Sequence, residues 1–126
     1  MLVEVELMVE SDFTETGGYA ATQRLLPSGP DAVFVASDMM ALGTLRALRG
    51  AGRRVPEDVA VVGFGDMPFA EHSEPPLTTM RQPVQRTGIV AAETLLDQIG
   101  NPEAQPRRIL MPTELIIRAS CGSVKG

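Results

Sequence analysis

Four residues could hold a small ligand: Phe13, Ser37, Asp38 and Asp66. Phe13 lies in the polar stretch Ser11-Asp12-Phe13-Thr14. Its ring offers a stacking face for a sugar or a base, a contact contributing about 0.5–1.5 kcal/mol beyond burial, although it equally suits packing under its own loop. Ser37 and Asp38 offer a hydroxyl and a carboxylate to ligand hydroxyls. One of the two is expected to cap a helix that starts after them, at about 1 kcal/mol. Asp66 follows Gly63-Phe64-Gly65, and its carboxylate suits either two neighbouring hydroxyls or an Asx-type turn. This is the chemistry of reversible hydrogen bonding. A nucleophile–base pair, a G-x-S-x-G elbow, an H-E-x-x-H helix and a P-loop are all missing. Asp38 and Asp66 are the only carboxylate pair at the strand ends, so no enzyme is expected. Gly63-Phe64-Gly65 lacks the third glycine of a dinucleotide fingerprint. A single histidine, His72, and a single cysteine, Cys121, leave no thiolate or histidine metal cluster and no internal disulfide, and no cofactor is expected.

The elements that would position these residues alternate. Val3, Val5, Leu7 and Val9 face away from Glu4 and Glu6, which predicts a half-buried strand over residues 2–9. A helix follows over about 16–26 and stops at Pro27. The run Ala32-Val33-Phe34-Val35-Ala36 is wholly apolar, the pattern of a parallel strand covered on both faces. Ala41, Leu45 and Leu48 have helical spacing within residues 39–49, and Gly50-Ala51-Gly52 ends that helix. Residues 59–64 read as a second buried strand, and residues 77–82 as extended up to Pro83. Residues 84–99 form an amphipathic helix with Val84, Ala91, Ala92, Leu95, Leu96 and Ile99 inward. Strands are expected at 109–111 and 114–118, and fraying from Ser120 onward. The order β-α-β-α-β, an irregular connection, then α-β builds an α/β fold, a parallel sheet with flanking helices and right-handed crossovers. Ligands bind beyond the carboxyl ends of such strands. Those ends carry Phe13, Ser37-Asp38 and Asp66.

The chain has 126 residues, 44% hydrophobic and 21% charged, the make-up of an ordinary globular domain. Eleven Lys and Arg against sixteen Asp and Glu give a net charge of −5, which disfavours direct binding to nucleic acid or an anionic membrane. No apolar run approaches the roughly 20 residues of a membrane helix. The acidic, alternating N-terminus does not read as a secretory leader, so a cytoplasmic protein is expected.

Three segments, taken in order and spacing, resemble the LacI/GalR family of bacterial transcriptional repressors. They are Pro30-Asp31-Ala32-Val33-Phe34-Val35-Ala36-Ser37-Asp38-Met39-Met40-Ala41-Leu42-Gly43, Val55-Pro56-Glu57-Asp58-Val59-Ala60-Val61-Val62-Gly63-Phe64, and Pro75-Pro76-Leu77-Thr78-Thr79-Met80-Arg81-Gln82-Pro83. Asp12-Phe13-Thr14-Glu15 with Gly18-Tyr19 fits the same family. The resemblance runs from about residue 8 to residue 122. It implies a partial periplasmic-binding-protein-like (type I) fold, the later part of an effector-binding domain, with the DNA-binding headpiece absent. Residues 1–76 and about 111–122 would belong to its C-terminal lobe. Residues 77–110 would cross to the N-terminal lobe and supply the 84–99 helix, whose apolar stripe would need cover, from a second chain for example. Carried over by position, Phe13, Ser37 and Asp38 contact the effector. Gly65 stands where an aspartate often binds sugar hydroxyls, leaving Asp66 as the neighbouring carboxylate. The family dimerises through the C-terminal lobe, and the matching positions here are Leu42, Arg46, Phe69, His72 and Ser73. The implied partners are a small polar effector (a sugar or nucleoside-like molecule), a second copy of the chain, and operator DNA reached only through the headpiece, with no membrane. The competing reading is a solute-binding protein of a sugar transporter.

Overall fold

A computed structural model describes residues 7–123. The chain divides into two compact units, passing from the first to the second after Arg81 and returning at Leu115. Residues 1–6, most of the strand expected over 2–9, lie outside the described residues, and residues 7–9 form no strand.

In the first unit, α1 (Glu15–Leu25) starts at Thr14, whose side chain accepts a hydrogen bond from the Gly17 N–H at 2.9 Å. Asp12 holds that cap in turn, accepting the Thr14 hydroxyl at 2.7 Å. Gly18 is needed where α1 meets α2 (Asp38–Gly50), because a Cβ there would run into the Met40 carbonyl. Gly43 does the same from the other side, against the Glu15 carbonyl. Between these close approaches the buried hydroxyls of Thr22 and Thr44 bond each other at 2.9 Å. The two glycines thus exchange helix propensity, about 1 kcal/mol each, for backbone-to-backbone packing.

The sheet has the order β1-β2-β3-β4, from β1 (Ala32–Phe34), β2 (Ala60–Gly65), β3 (Thr78–Arg81) and β4 (Glu114–Ile116). β1 runs parallel to β2 with Val33 opposite Val61, and β2 parallel to β3 with Gly63 opposite Thr79 and Gly65 opposite Arg81. Val35, Met40, Ala41, Leu45, Leu48, Val59, Val61, Ala70 and Leu77 form the core. Full burial of the valine, leucine and methionine side chains among them stabilises by roughly 1.5–3 kcal/mol each. The periodic residues Ala41, Leu45 and Leu48 are therefore the sheet-facing stripe of α2.

Three expectations fail here for physical reasons. The apolar run at 32–36 is not a strand covered on both faces: Phe34 is 65% exposed, and among the described residues β1 pairs only with β2. The tail is not frayed at Ser120, which is fully buried because its hydroxyl donates to the Val61 carbonyl at 2.6 Å and accepts the Thr78 N–H at 2.8 Å. Residues 109–111 form no strand. Within the second unit, Ile109 and Met111 instead line a groove of about 460 Å³ along α3 (Val84–Gly100) with Val90 and Leu95. No residue of α3 is buried among the described residues, so its expected inward face (Val84, Leu95, Leu96, Ile99) stands open.

Candidate functional site

The site is assembled at the carboxyl ends of β1 and β2 from the first turn of α2 outward. Ser37 is the residue that caps α2, its Oγ accepting the Met40 N–H at 3.4 Å. Asp38 is thereby free for a different task. It is buried at 1% exposure, and its Oδ1 accepts the Thr79 hydroxyl at 2.6 Å while its Oδ2 accepts the Met67 N–H at 2.9 Å. Gly63 makes room for it, since a Cβ at that position would strike the Asp38 carboxylate. Two carboxylate oxygens thus tie the start of α2 to β3 and to the loop after β2.

Asp66 opens that loop in a left-handed conformation, φ +55°, directly after Gly65 at φ +130°. Asp and Asn tolerate that region better than other side chains. Its N–H lies 3.4 Å from the Thr79 Oγ1. Its carboxylate, 7% exposed, accepts the Arg81 Nε–H at 2.6 Å and pairs with the Arg118 Nη2 at 2.8 Å. Burial pushes this carboxyl up, but the hydrogen bonds from Arg81 and Arg118 and their positive charge outweigh it and leave Asp66 below the ordinary carboxylate value. Arg118 is held on its other side by the Leu77 carbonyl at 2.9 Å.

Phe13 joins the same rim from the α1 side. Its φ is +64°, it is 63% exposed, and five residues further on Gly18 packs against Met40 in the first turn of α2. It lines a cleft of about 360 Å³ with Val9, Ser11, Val35, Ala36 and Met40. Ser37, Asp38 and Asp66 are not among the residues that line this cleft, and Asp38 is buried. Around them Met39 and Met67 are 39% and 46% exposed. The solvent-facing surface therefore combines the Phe13 ring and two methionines with the Ser11 and Ser37 hydroxyls, Glu10 and the half-exposed Arg81, and both Asp38 and Asp66 have their carboxylate oxygens occupied by protein donors. Such a surface suits non-covalent contact with the ring face of a small molecule.

Thr79 and Arg118 are the residues that sequence reasoning missed. Two adjacent threonines following Leu77 in a predicted extended segment, and an arginine closing the apolar run Leu115-Ile116-Ile117, were the available signal. Buried polar groups of this kind must find partners. Thr78 serves the tail: its Oγ1 accepts the Arg118 N–H at 2.8 Å, and its proton lies between the Arg118 carbonyl at 3.1 Å and the Cys121 sulfur at 3.2 Å. Burial pushes the Cys121 thiol up, but hydrogen bonds to Ser123 and Thr78 bring it below the usual thiol value.

The positions named for self-association occupy another surface. Leu42 is half-buried on α2. Arg46 stacks 4.8 Å from the Tyr19 ring centre and pairs with Glu15 at 3.0 Å. Phe69 is half-buried, His72 is exposed with its Nε2 3.3 Å from the Glu71 carboxylate, and the Ser73 hydroxyl lies 2.9 Å from the carbonyls of Ala70 and Pro75. Among the described residues, no three His, Cys, Asp or Glu side chains cluster as metal ligands, and no helix is long and apolar enough to cross a membrane.

A sheet of this topology with its polar loops on one rim defines an α/β lobe. Residues 2–121 match the model of the periplasmic binding protein-like domain, and the chain belongs to that family, on the branch of LacI-type transcriptional regulators. It is 48% identical over 116 residues to the HTH-type transcriptional regulator CelR of Thermobifida fusca, covering 90% of this chain and 34% of that protein. It is 46% identical to the HTH-type transcriptional regulator MalR of Streptomyces coelicolor, covering 98% of this chain and 36% of that protein. The chain therefore spans about a third of the length of these curated relatives. Among solved structures it superimposes on a CelR–cellobiose complex with TM-score 0.89 at 46% identity, over 95% of this chain and 37% of the other. A LacI family regulator from Enterococcus faecium with bound ribose gives TM-score 0.79 at 35% identity, over 91% and 43%. These relatives are transcriptional regulators, not enzymes or transport proteins.

Proposed function

We propose that this chain is the ligand-sensing and dimerisation portion of a LacI-type DNA-binding repressor. The observation that supports the reading is that Ser37 and Asp38 meet the loop after β2 at one end of the sheet, with the Phe13 cleft reaching Ala36 and Met40 beside them. The effector is a small polar molecule, a sugar or nucleoside-like ring, held without covalent chemistry. Phe13 and Met67 supply its apolar platform and Ser37 a hydroxyl, while Asp38 and Asp66 shape the loops behind them. Cellobiose and ribose in two similar regulators support a sugar. Effector binding that favours one conformation over another shifts the equilibrium that a DNA-binding headpiece reads. The chain itself turns nothing over, works in the cytoplasm, and meets operator DNA only through that headpiece. Two copies associate through the surface of Leu42, Arg46, Phe69, His72 and Ser73.

The test is a titration of the purified chain with cellobiose and, separately, with ribose at millimolar concentrations, followed by amide chemical shifts. Saturable shifts at Phe13, Ser37 and residues 65–68 with one sugar are expected, weakened in Phe13→Ala. Shifts with neither sugar, or only far from this rim, would refute the reading. Sedimentation equilibrium tests the association: a dimer that Leu42→Asp converts to monomer is expected, and a monomeric wild type contradicts it.

A further inference from the structure

Asp66 does more than close a turn. The two guanidinium groups on its carboxylate mark the two places where the backbone enters and leaves the first unit. Arg81 is the last residue before the chain passes into the second unit, and Arg118 lies just after the return at Leu115. Both ion pairs are short, at 2.6 and 2.8 Å, and the shared carboxylate is almost fully enclosed. The next residue, Met67, gives its N–H to Asp38, so the same short loop forms part of the candidate rim. We propose that Asp66 is a positioning residue that tethers both chain passages to the rim loop, so that a molecule pressed against residues 65–68 is felt at Arg81 and Arg118. This rests on the effector-binding reading above. The physical basis is rigidity. A charge-assisted bond is short and geometrically demanding, and one carboxylate holding two arginines cannot shift without moving both. The left-handed backbone at Asp66 leaves the loop few alternative conformations to absorb such a shift.

The experiment uses amide hydrogen exchange and chemical shifts of the purified chain. Asp66→Asn removes the charge while keeping a residue that tolerates the left-handed region. Without ligand, exchange at residues 79–82 and 115–118 should rise about tenfold in this variant, the factor that one charge-assisted bond of ordinary strength makes. Exchange in the middle of α2 should stay unchanged. Arg118→Gln should raise exchange at 115–118 only, and Arg81→Gln at 79–82 only. An even rise across α1 and α2, or no rise at either passage, would overturn the tether. In a cellobiose titration of the wild type, shifts should reach both passages, and in Arg118→Gln they should no longer reach 115–118. Persistence of the shifts there refutes the coupling. Absence of any shift at 65–68 in the wild type counts against the sugar reading instead, and the ligand-free exchange still decides the tether.

Discussion

Asp38→Ala should be the most damaging single change on the rim, and its cost follows from the contacts. The substitution removes two acceptors. The Thr79 hydroxyl, on a fully buried residue, loses its 2.6 Å partner, and the Met67 N–H loses its 2.9 Å partner. A hydrogen bond to a charged group contributes about 1.5–3 kcal/mol, and a buried donor left without a partner costs about 1–3 kcal/mol. The two bonds share one carboxylate, so their losses overlap, and a total of roughly 3–5 kcal/mol is expected, in line with breaking other buried charged networks. Domains of this kind have about 5–15 kcal/mol in all, so the variant should lose about a fifth or more of its stability. Asp38→Asn is the informative control. Its amide oxygen can still accept from Met67, and its NH2 can donate to Thr79 Oγ1 if that hydroxyl turns its own proton away. A loss of only about 1–2 kcal/mol is expected, the charge assistance alone. Urea denaturation with linear extrapolation measures both. If Asp38→Ala lies within about 1 kcal/mol of wild type, or if Asn and Ala cost the same, the carboxylate is not the clasp described.

Three further outcomes follow from neighbouring contacts. Asp66 has its carboxyl below the ordinary value because Arg81 and Arg118 face it, so its ionised form stabilises the fold at pH above the unfolded value of about 3.9. Wild type should therefore exceed Asp66→Asn in stability at neutral pH, with the gap closing as pH falls below that value through the folded one; a gap independent of pH contradicts the pairing. Gly18→Ala, though a better helix former, should destabilise by about 1–3 kcal/mol in thermal unfolding, because its methyl enters the Met40 carbonyl and forces α1 from α2. Ser120→Ala should cost about 1–3 kcal/mol by leaving the Thr78 N–H without its partner, and a neutral result would show that water replaces the hydroxyl.

Local signals served the sequence reading well. α2 was legible because Ser37 supplies a cap and Ala41, Leu45 and Leu48 mark one face, all within a dozen residues. β2 was legible for the same reason, as a short apolar run ending in glycine. β1 misled because an apolar run reports hydrophobicity and not what lies over it, and Phe34 stands 65% exposed. On the rim, the convergence of Ser37, Asp38 and Asp66 followed from topology alone, since parallel strands end on one side. The roles of the two carboxylates did not follow. Asp38 meets Thr79 across 41 positions of sequence, and Asp66 meets Arg118 across a second compact unit. No periodicity encodes a partner at that distance. The apolar residues of α3 were recognised as a stripe, but amphipathicity shows that a face needs cover without showing what covers it.

The hydrogen bonds joining Thr78 to Arg118 and Ser120 bear on how the molecule is made. A ribosome emits β3 long before its fastening arrives, with residues 82–114 in between. Until residues 115–121 leave the exit tunnel, the Thr78 amide and the Val61 carbonyl must be satisfied by solvent, and the sheet's far border stays unlatched. Nascent chains stalled before residue 118 should therefore be cut readily by protease near β3, and chains released beyond residue 121 should resist.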